Sequence, residues 1–181
     1  MHQHCNHTLA DGNIFEVRAK GKHVSVVRLD INMDAALGTV EVWSRPGDMV
    51  PNDDGGWFLL KSFDITGQGK GNITSLPAFE FPIVIPPGSK QSFYVTTTSE
   101  NADLWYSVGE LLGSAYASNK NLEVLDAYAV GYYFKGIAQP RRWNGMQNTR
   151  VTPHKMHNLI HLFKHQTHIP QYFQLSFYAS L

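Results

Sequence analysis

The chain reads as an all-β protein, an antiparallel sandwich with jelly-roll-like connections and a short C-terminal tail of helical or irregular character. Three observations carry that reading. Apolar and polar residues alternate with period two, which puts successive side chains on opposite faces of a strand. Clusters of Gly, Pro and Asn interrupt the chain at short intervals with no helical pattern between them, as hairpins require and βαβ units do not. The alternation then stops near Val151, where the composition changes abruptly: residues 151–181 hold five of the nine histidines, no acidic residue and no glycine.

Taken in order, residues 14–19 form the first candidate strand. Val27, Leu29 and Ile31 then alternate with Arg28 and Asp30, and Val40 and Val42 flank Glu41. Residues 57–63 follow. Phe79, Phe81, Ile83 and Ile85 share one face by the period-two rule and are expected to point into one core. Phe93, Val95 and Thr97 oppose Tyr94, Thr96 and Thr98, then come residues 104–108 and a long run over 122–134. The count is about eight or nine strands. Between them sit residues that accept positive φ or pre-set a turn, such as Arg45-Pro46-Gly47, Asn52 to Gly56, Gly67 to Gly71 and Pro86-Pro87-Gly88. The expected organisation is an N-terminal segment 1–12, a sandwich domain 13–150 and a His-rich tail 151–181. An immunoglobulin-like sandwich is a weaker alternative, because one cysteine cannot supply its disulfide.

From Pro153 the spacing turns helical. Met156, Leu159, Ile160 and Phe163 fall at i, i+3, i+4 and i+7, a stripe suited to docking on the sandwich or on a second copy. His157, His161 and His165 share another face, four residues apart. Such a pair can hold a metal ion, but no local carboxylate completes a metalloprotease-type motif. At the other end, Cys5 is alone and forms no internal disulfide, and its neighbours His2, His4 and His7 read as a frayed terminus.

Composition narrows the function classes. The chain has 181 residues, 43% hydrophobic and 17% charged, enough for a full core. Fifteen basic side chains cancel fifteen acidic ones, which disfavours nucleic acid as a partner. No run reaches the roughly 18 to 20 apolar residues that would predict a membrane span. The opening residues lack the basic and apolar regions of a signal peptide, which fits either a cytosolic protein or a mature segment with a new start; the features that follow lead us to expect the second, an extracellular or cell-surface protein whose leader lies outside this chain. The sequons Asn6-His7-Thr8 and Asn72-Ile73-Thr74 point to glycosylation at Asn6 and Asn72.

Catalytic motifs are missing. His23 is the one histidine of the β-region, Gly113-Ser114-Ala115-Tyr116-Ala117 lacks the nucleophile-elbow order, and Gly67-Gln68-Gly69-Lys70-Gly71 is followed by neither a helix nor a Ser/Thr partner for Lys70. A carboxylate dyad stays open. Ligand binding has better candidates. Asp48, Asp53 and Asp54 beside a Gly-rich loop suit Ca²⁺, or else serve as Asx-turn formers. Trp43, Trp57, Trp105 and Trp143 are the indoles available to stack on sugar rings, or to fill the core. Trp143 follows Arg141 and Arg142 and precedes Asn144-Gly145, so either a turn presents its ring beside two guanidinium groups, or it closes the bottom of the sandwich with an arginine stacked over it.

The phrases GNIFEVRAK (12–20), TVEVWSRPG (39–47), SFYVTTTSENADLWYSVG (92–109) and PRRWNG (140–145) together resemble a module found in secreted, often repeated surface proteins of marine algae and bacteria. That pattern opens on GNxFxV and closes on PRxWNG, and it covers roughly residues 9–150. The resemblance implies an extracellular adhesive or matrix role and carries no catalytic residue. We therefore expect a non-catalytic surface module with an adhesive, structural-assembly or ligand-binding role, its partners being a glycan, a matrix or further copies of itself. The alternative is a jelly-roll enzyme acting on carbohydrate or using a metal ion.

Overall fold

The computed structural model describes residues 11–99 and 102–152. No helix forms among them. The strands are β1 (Gly12–Ala19), β2 (His23–Asn32), β3 (Leu37–Pro46), β4 (Phe58–Thr66), β5 (Ile73–Ser75), β6 (Ile83–Ile85), β7 (Lys90–Thr97), β8 (Tyr106–Val108), β9 (Ala115–Ser118), β10 (Leu122–Gly131), β11 (Lys135–Trp143) and β12 (Met146–Thr152). They make two antiparallel sheets packed face to face, the all-β sandwich that the alternation predicts. The larger sheet runs β4-β3-β7-β1-β10-β11-β8, with β9 also on β10. In the smaller sheet β12 pairs with one side of β2, while β5 and β6 share its other side at residues 30–32 and 24–26.

Alternation decides which side chains enter the space between the sheets. Phe15 and Val17 of β1, Val40 and Val42 of β3, and Phe93 and Val95 of β7 meet Val24, Val26 and Ile31 of β2 there. The centre of this core is aromatic. The Phe15 ring lies 5.5 Å from Phe93 and 4.8 Å from Trp143, near-parallel to both. Trp143 is 2% exposed, and its Nε1–H finds no acceptor among the described residues. An unmet indole N–H costs about 1 to 3 kcal/mol. Burying the ring contributes about 4 to 6 kcal/mol at ~25 cal/mol per Å², so packing wins.

Two glycines allow close backbone approach, Gly12 within the larger sheet against β7 and Gly145 at the corner between the sheets. A Cβ on Gly12 would lie 2.6 Å from the Tyr94 ring. A Cβ on Gly145 would lie 2.0 Å from the Asp30 carbonyl oxygen and 2.5 Å from the Trp143 ring. At Asn144-Gly145 the chain leaves β11 of the larger sheet and enters β12, whose Met146 pairs with Asp30 of the smaller one. The PRxWNG phrase is the corner where the chain changes sheets.

Several sequence expectations change. Phe79, Phe81, Ile83 and Ile85 do not share one buried face: Phe81 is 76% exposed, Phe79 and Ile83 are partly buried, and Ile85 alone is fully buried. Pro77 and Pro82 bring no N–H to a ladder, so pairing with β2 as a strand begins only at Ile83. The run 122–134 divides, because β10 ends at Gly131 and a turn leads into β11. Strands β5, β9, β11 and β12 were not anticipated. Strand β12 continues to Thr152, with Val151 opposite Val24 and Thr152 opposite His23, so the sheet extends past residue 150. The stripe Met156, Leu159, Ile160 and Phe163, the histidines His157, His161 and His165, Cys5 with its neighbouring histidines, and Asn6 lie outside the described residues. No helix among the described residues is long and apolar enough to cross a membrane.

Because Phe15 and Trp143 share one stack, Phe15→Ala and Trp143→Ala should each lower unfolding free energy by about 3 to 5 kcal/mol in urea denaturation. The double variant should lose less than the sum, since contacting residues couple. Additive losses would show that the stack is not a unit.

Candidate ligand-binding face

Strand β1 is buried on both sides, which a two-layer sandwich alone does not explain. Its outward residues are covered by a third layer: the connection 47–57 between β3 and β4, and the turn 132–134 between β10 and β11. Ile14, Trp57, Tyr94, Ala127, Val130 and Phe134 form a second apolar cluster on the outer face of the larger sheet. Trp43, Met49, Tyr128 and Tyr133 pack against it half-buried.

Phe134 anchors this layer. It is a non-glycine residue at φ 53°, a left-handed conformation that costs about 1 to 3 kcal/mol. Its ring recovers that by packing 4.5 Å from Tyr94 and 5.6 Å from Trp57. Tyr133 and Trp43 then stand edge-on at 4.8 and 5.9 Å from Phe134, and 5.3 Å from each other. Tyr132 adds a ring 5.7 Å from Tyr133 and is 44% exposed. The result is a held platform of rings open to solvent on one side.

Carboxylates rim the platform. The Trp43 Nε1–H donates to Glu41 Oε2 at 2.9 Å, and the Tyr133 hydroxyl donates to Asp54 Oδ2 at 3.2 Å. The Tyr132 backbone N–H donates to Asp11 Oδ2 at 3.0 Å. Glu16, 1% exposed, accepts the Met49 N–H at 2.8 Å and faces Lys90 Nζ at 3.4 Å, which locks the connection 47–57 onto the sheet. Lys90 also grips Asp48 at 2.5 Å. That hydrogen bond raises the Lys90 pKa and lowers that of Asp48. Burial pushes the Tyr94 hydroxyl up to about 12, and its proton is donated to the Gly131 carbonyl at 2.9 Å. Tyr133 is raised by desolvation and then by Asp54, and Tyr128 by burial and then by Glu16.

The structure redistributes the residues singled out from sequence. Trp57 belongs to this face but is 7% exposed, with its Nε1–H on the Val50 carbonyl at 3.1 Å, so it is floor and not surface. Trp143 is not presented by a turn; β11 carries it inward onto Phe15. Arg142 is committed to Asp126, which is fully buried, through contacts of 3.0 and 3.2 Å, and it lies 4.9 Å over the Tyr116 ring. Arg141 lies 5.8 Å over Tyr106. Trp105 donates to Asp34 at 2.5 Å beneath Lys70, at 4.1 Å from its ring. The three proposed calcium ligands are engaged separately: Asp48 with Lys90, Asp53 with the Gly55 N–H at 2.8 Å, and Asp54 with Tyr133. No group of three His, Cys, Asp or Glu among the described residues is placed to hold a metal. Asn72 is exposed just before β5, its Nδ2–H on the Gln68 carbonyl at 3.0 Å.

Glu41, Tyr128, Tyr132 and Tyr133 escaped the sequence reading. One signal was present: Tyr132-Tyr133-Phe134 puts three aromatic residues where a turn normally carries Gly, Asn or Asp. In the GNxFxV and PRxWNG phrases Phe15, Trp143 and Gly145 serve closure of the sandwich, while Gly12 makes room for the Tyr94 ring on the outer face. Comparison with protein-family models and with curated proteins returns no match.

Arg142→Ala would strand a buried carboxylate and should cost about 3 kcal/mol, the low end for such pairs because the guanidinium is partly exposed. A loss under about 0.5 kcal/mol would make it an ordinary surface ion pair. Tyr94 gives a pH prediction. Its folded pKa lies above the unfolded value, so its stabilisation is complete below pH ~10 and is lost as pH rises from about 10 to 12. Tyr94→Phe should flatten that part of the alkaline stability profile, and ultraviolet titration should lose the tyrosine that ionises last.

Proposed function

We propose that the protein is a non-catalytic recognition module of the cell surface or extracellular matrix that holds a carbohydrate chain on the outer aromatic face of its larger sheet. One observation carries the reading: Trp43, Tyr128, Tyr132 and Tyr133 stand partly exposed around a buried floor of Phe134, Trp57 and Tyr94, with Glu41 and Asp54 hydrogen-bonded at the rim. Sugar rings present C–H faces that pack on aromatic planes, and hydroxyls that donate to carboxylates. Trp and Tyr supply that contact area with few rotatable bonds, so little entropy is lost on binding. Here the interlocked rings reduce the loss further. Accessibility of Asn72 and the resemblance of 9–150 to secreted surface modules support the extracellular setting.

The test is affinity electrophoresis of the full chain through gels containing different polysaccharides, followed by calorimetry on the best. At least one should retard the protein. Trp43→Ala should weaken binding by about 2 kcal/mol, the size of a central aromatic anchor. It should leave the fold intact, because Trp43 is only half-buried. Absence of retardation in every gel, or unchanged binding by the Trp43→Ala variant, would overturn the assignment. Release of reducing ends from the bound polysaccharide would establish catalysis instead.

A further inference from the structure

Charge says which carbohydrate. Three carboxylates border the aromatic platform: Asp11 beneath the Tyr132 backbone, Glu41 on the Trp43 indole and Asp54 on the Tyr133 hydroxyl, while Glu16 lies buried below with Lys90. Two cations of the same region are paired with other carboxylates: Lys90 is held between Glu16 and Asp48, and Arg18 pairs with Glu123. Arg45 donates to the neutral Gly55 carbonyl at 2.7 Å and keeps its charge. Among the described residues no lysine or arginine pairs with Asp11, Glu41 or Asp54. Lys135, at the end of the turn 132–134, is the one cation that the turn itself contributes. Desolvation is the first cause of the raised pKa values of Tyr94, Tyr128 and Tyr133, and Asp11, Glu16 and Asp54 respectively add to it as the leading charges.

Two attractions converge on such a surface. Ring faces attract cations through the quadrupole, and most strongly at Trp. A carboxylate within a Debye length adds a second pull toward positive charge and a push against negative charge. We infer that this face selects a cationic amino-sugar polymer over a neutral glycan and rejects a polyanionic one. The inference rests on the glycan reading above and specifies its ligand. Along a polymer, each protonated amine that meets the rim adds the effect of one exposed cation–π or ion-pair contact, about threefold in affinity.

Calorimetry of the full chain with cello-, chitosan- and oligouronate ligands of equal length separates the possibilities. The measurement is made near pH ~5.5, above the ordinary carboxylate range, so that rim and ligand both carry their charges. Binding should weaken in the order chitosan, cello, oligouronate. Raising the salt to ~0.5 M, where exposed charges are largely screened, should draw the three together. Glu41→Gln with Asp54→Asn should shrink the chitosan-to-cello ratio, and Lys135→Ala should widen it. Any other order of affinities, or a chitosan preference indifferent to salt, overturns the charge selection while leaving a glycan site in place. If none of the three binds, or if Trp43→Ala leaves all of them unchanged, the glycan site itself is overturned.

Discussion

The stack of Trp143 on Phe15 is the contact on which the sandwich closes. Phe15 lies in β1 and Trp143 in β11, two strands away in the same sheet, and Phe93 extends the stack to β7. A sheet holds its strands by backbone hydrogen bonds, but nothing in those bonds makes the chain turn and cover its inner face. Here the stack pins the end of β11, and two residues later Gly145 passes against the Asp30 carbonyl on its way into β12. Register across the gap follows, since Met146 opposite Asp30 sets the pairing of β12 with β2. Asn144 secures the corner from outside by accepting the Ser107 hydroxyl at 2.9 Å. Asp126 and Arg142 hold the neighbouring strands in place: the carboxylate spans the guanidinium and the Glu110 N–H, joining β10, β11 and the connection 109–114.

The inner face was largely legible in the sequence, and for a physical reason. Phe15 and Val17, Val40 and Val42, and Phe93 and Val95 alternate with polar residues because one side of each strand meets the other sheet. That pattern is local and survives without knowledge of partners. It failed where the same pattern had another origin. Phe79 and Phe81 sit between two prolines in a connection that runs alongside β2 from β5 to β6, so their spacing carries no strand period. The short strands β5 and β9 escaped for the opposite reason: three or four residues are too few to display a period at all. Nor does strand spacing reveal how many strands each sheet takes, because that depends on long-range pairing such as β1 with β10.

The outer face was nearly illegible. Trp57 and Trp143 are both indoles flanked by glycine and charge in the sequence, yet one floors the aromatic platform and the other fills the inter-sheet core. What separates them is that Trp57 ends the connection 47–57, which folds over the outer face, while Trp143 ends β11 on its inward side; a linear reading shows neither. Glu16 shows the same limit. It alternates correctly with Phe15 and Val17 and so reads as solvent-facing, but the connection 47–57 folds over it and leaves it 1% exposed. A carboxylate that deep is tolerated because the Met49 N–H donates to Oε1 and the Lys90 ammonium offsets the charge as an ion pair at 3.4 Å from Oε2, which accepts no hydrogen bond.

That buried carboxylate also explains why the aromatic layer can be rigid. A surface connection of this length would ordinarily be mobile, and rings carried on it would lose much of their affinity to the entropy of being ordered. Glu16 ties the connection down at Met49, Trp57 ties it at Val50, and Arg45 ties it at Gly55. The turn 132–134 is held independently, by the Tyr132 N–H on Asp11 and by the Phe134 ring in the second cluster. Tyr133 links the two through Asp54. The strained backbone at Phe134 belongs to the same economy of position: a glycine would adopt that φ without strain, but only a large ring can brace Tyr94, Trp57 and Trp43 at once. The sandwich supplies the flat, fixed base, and the proposed ligand face lies on the layer added to it, in connections of the kind that differ most freely from one protein to the next.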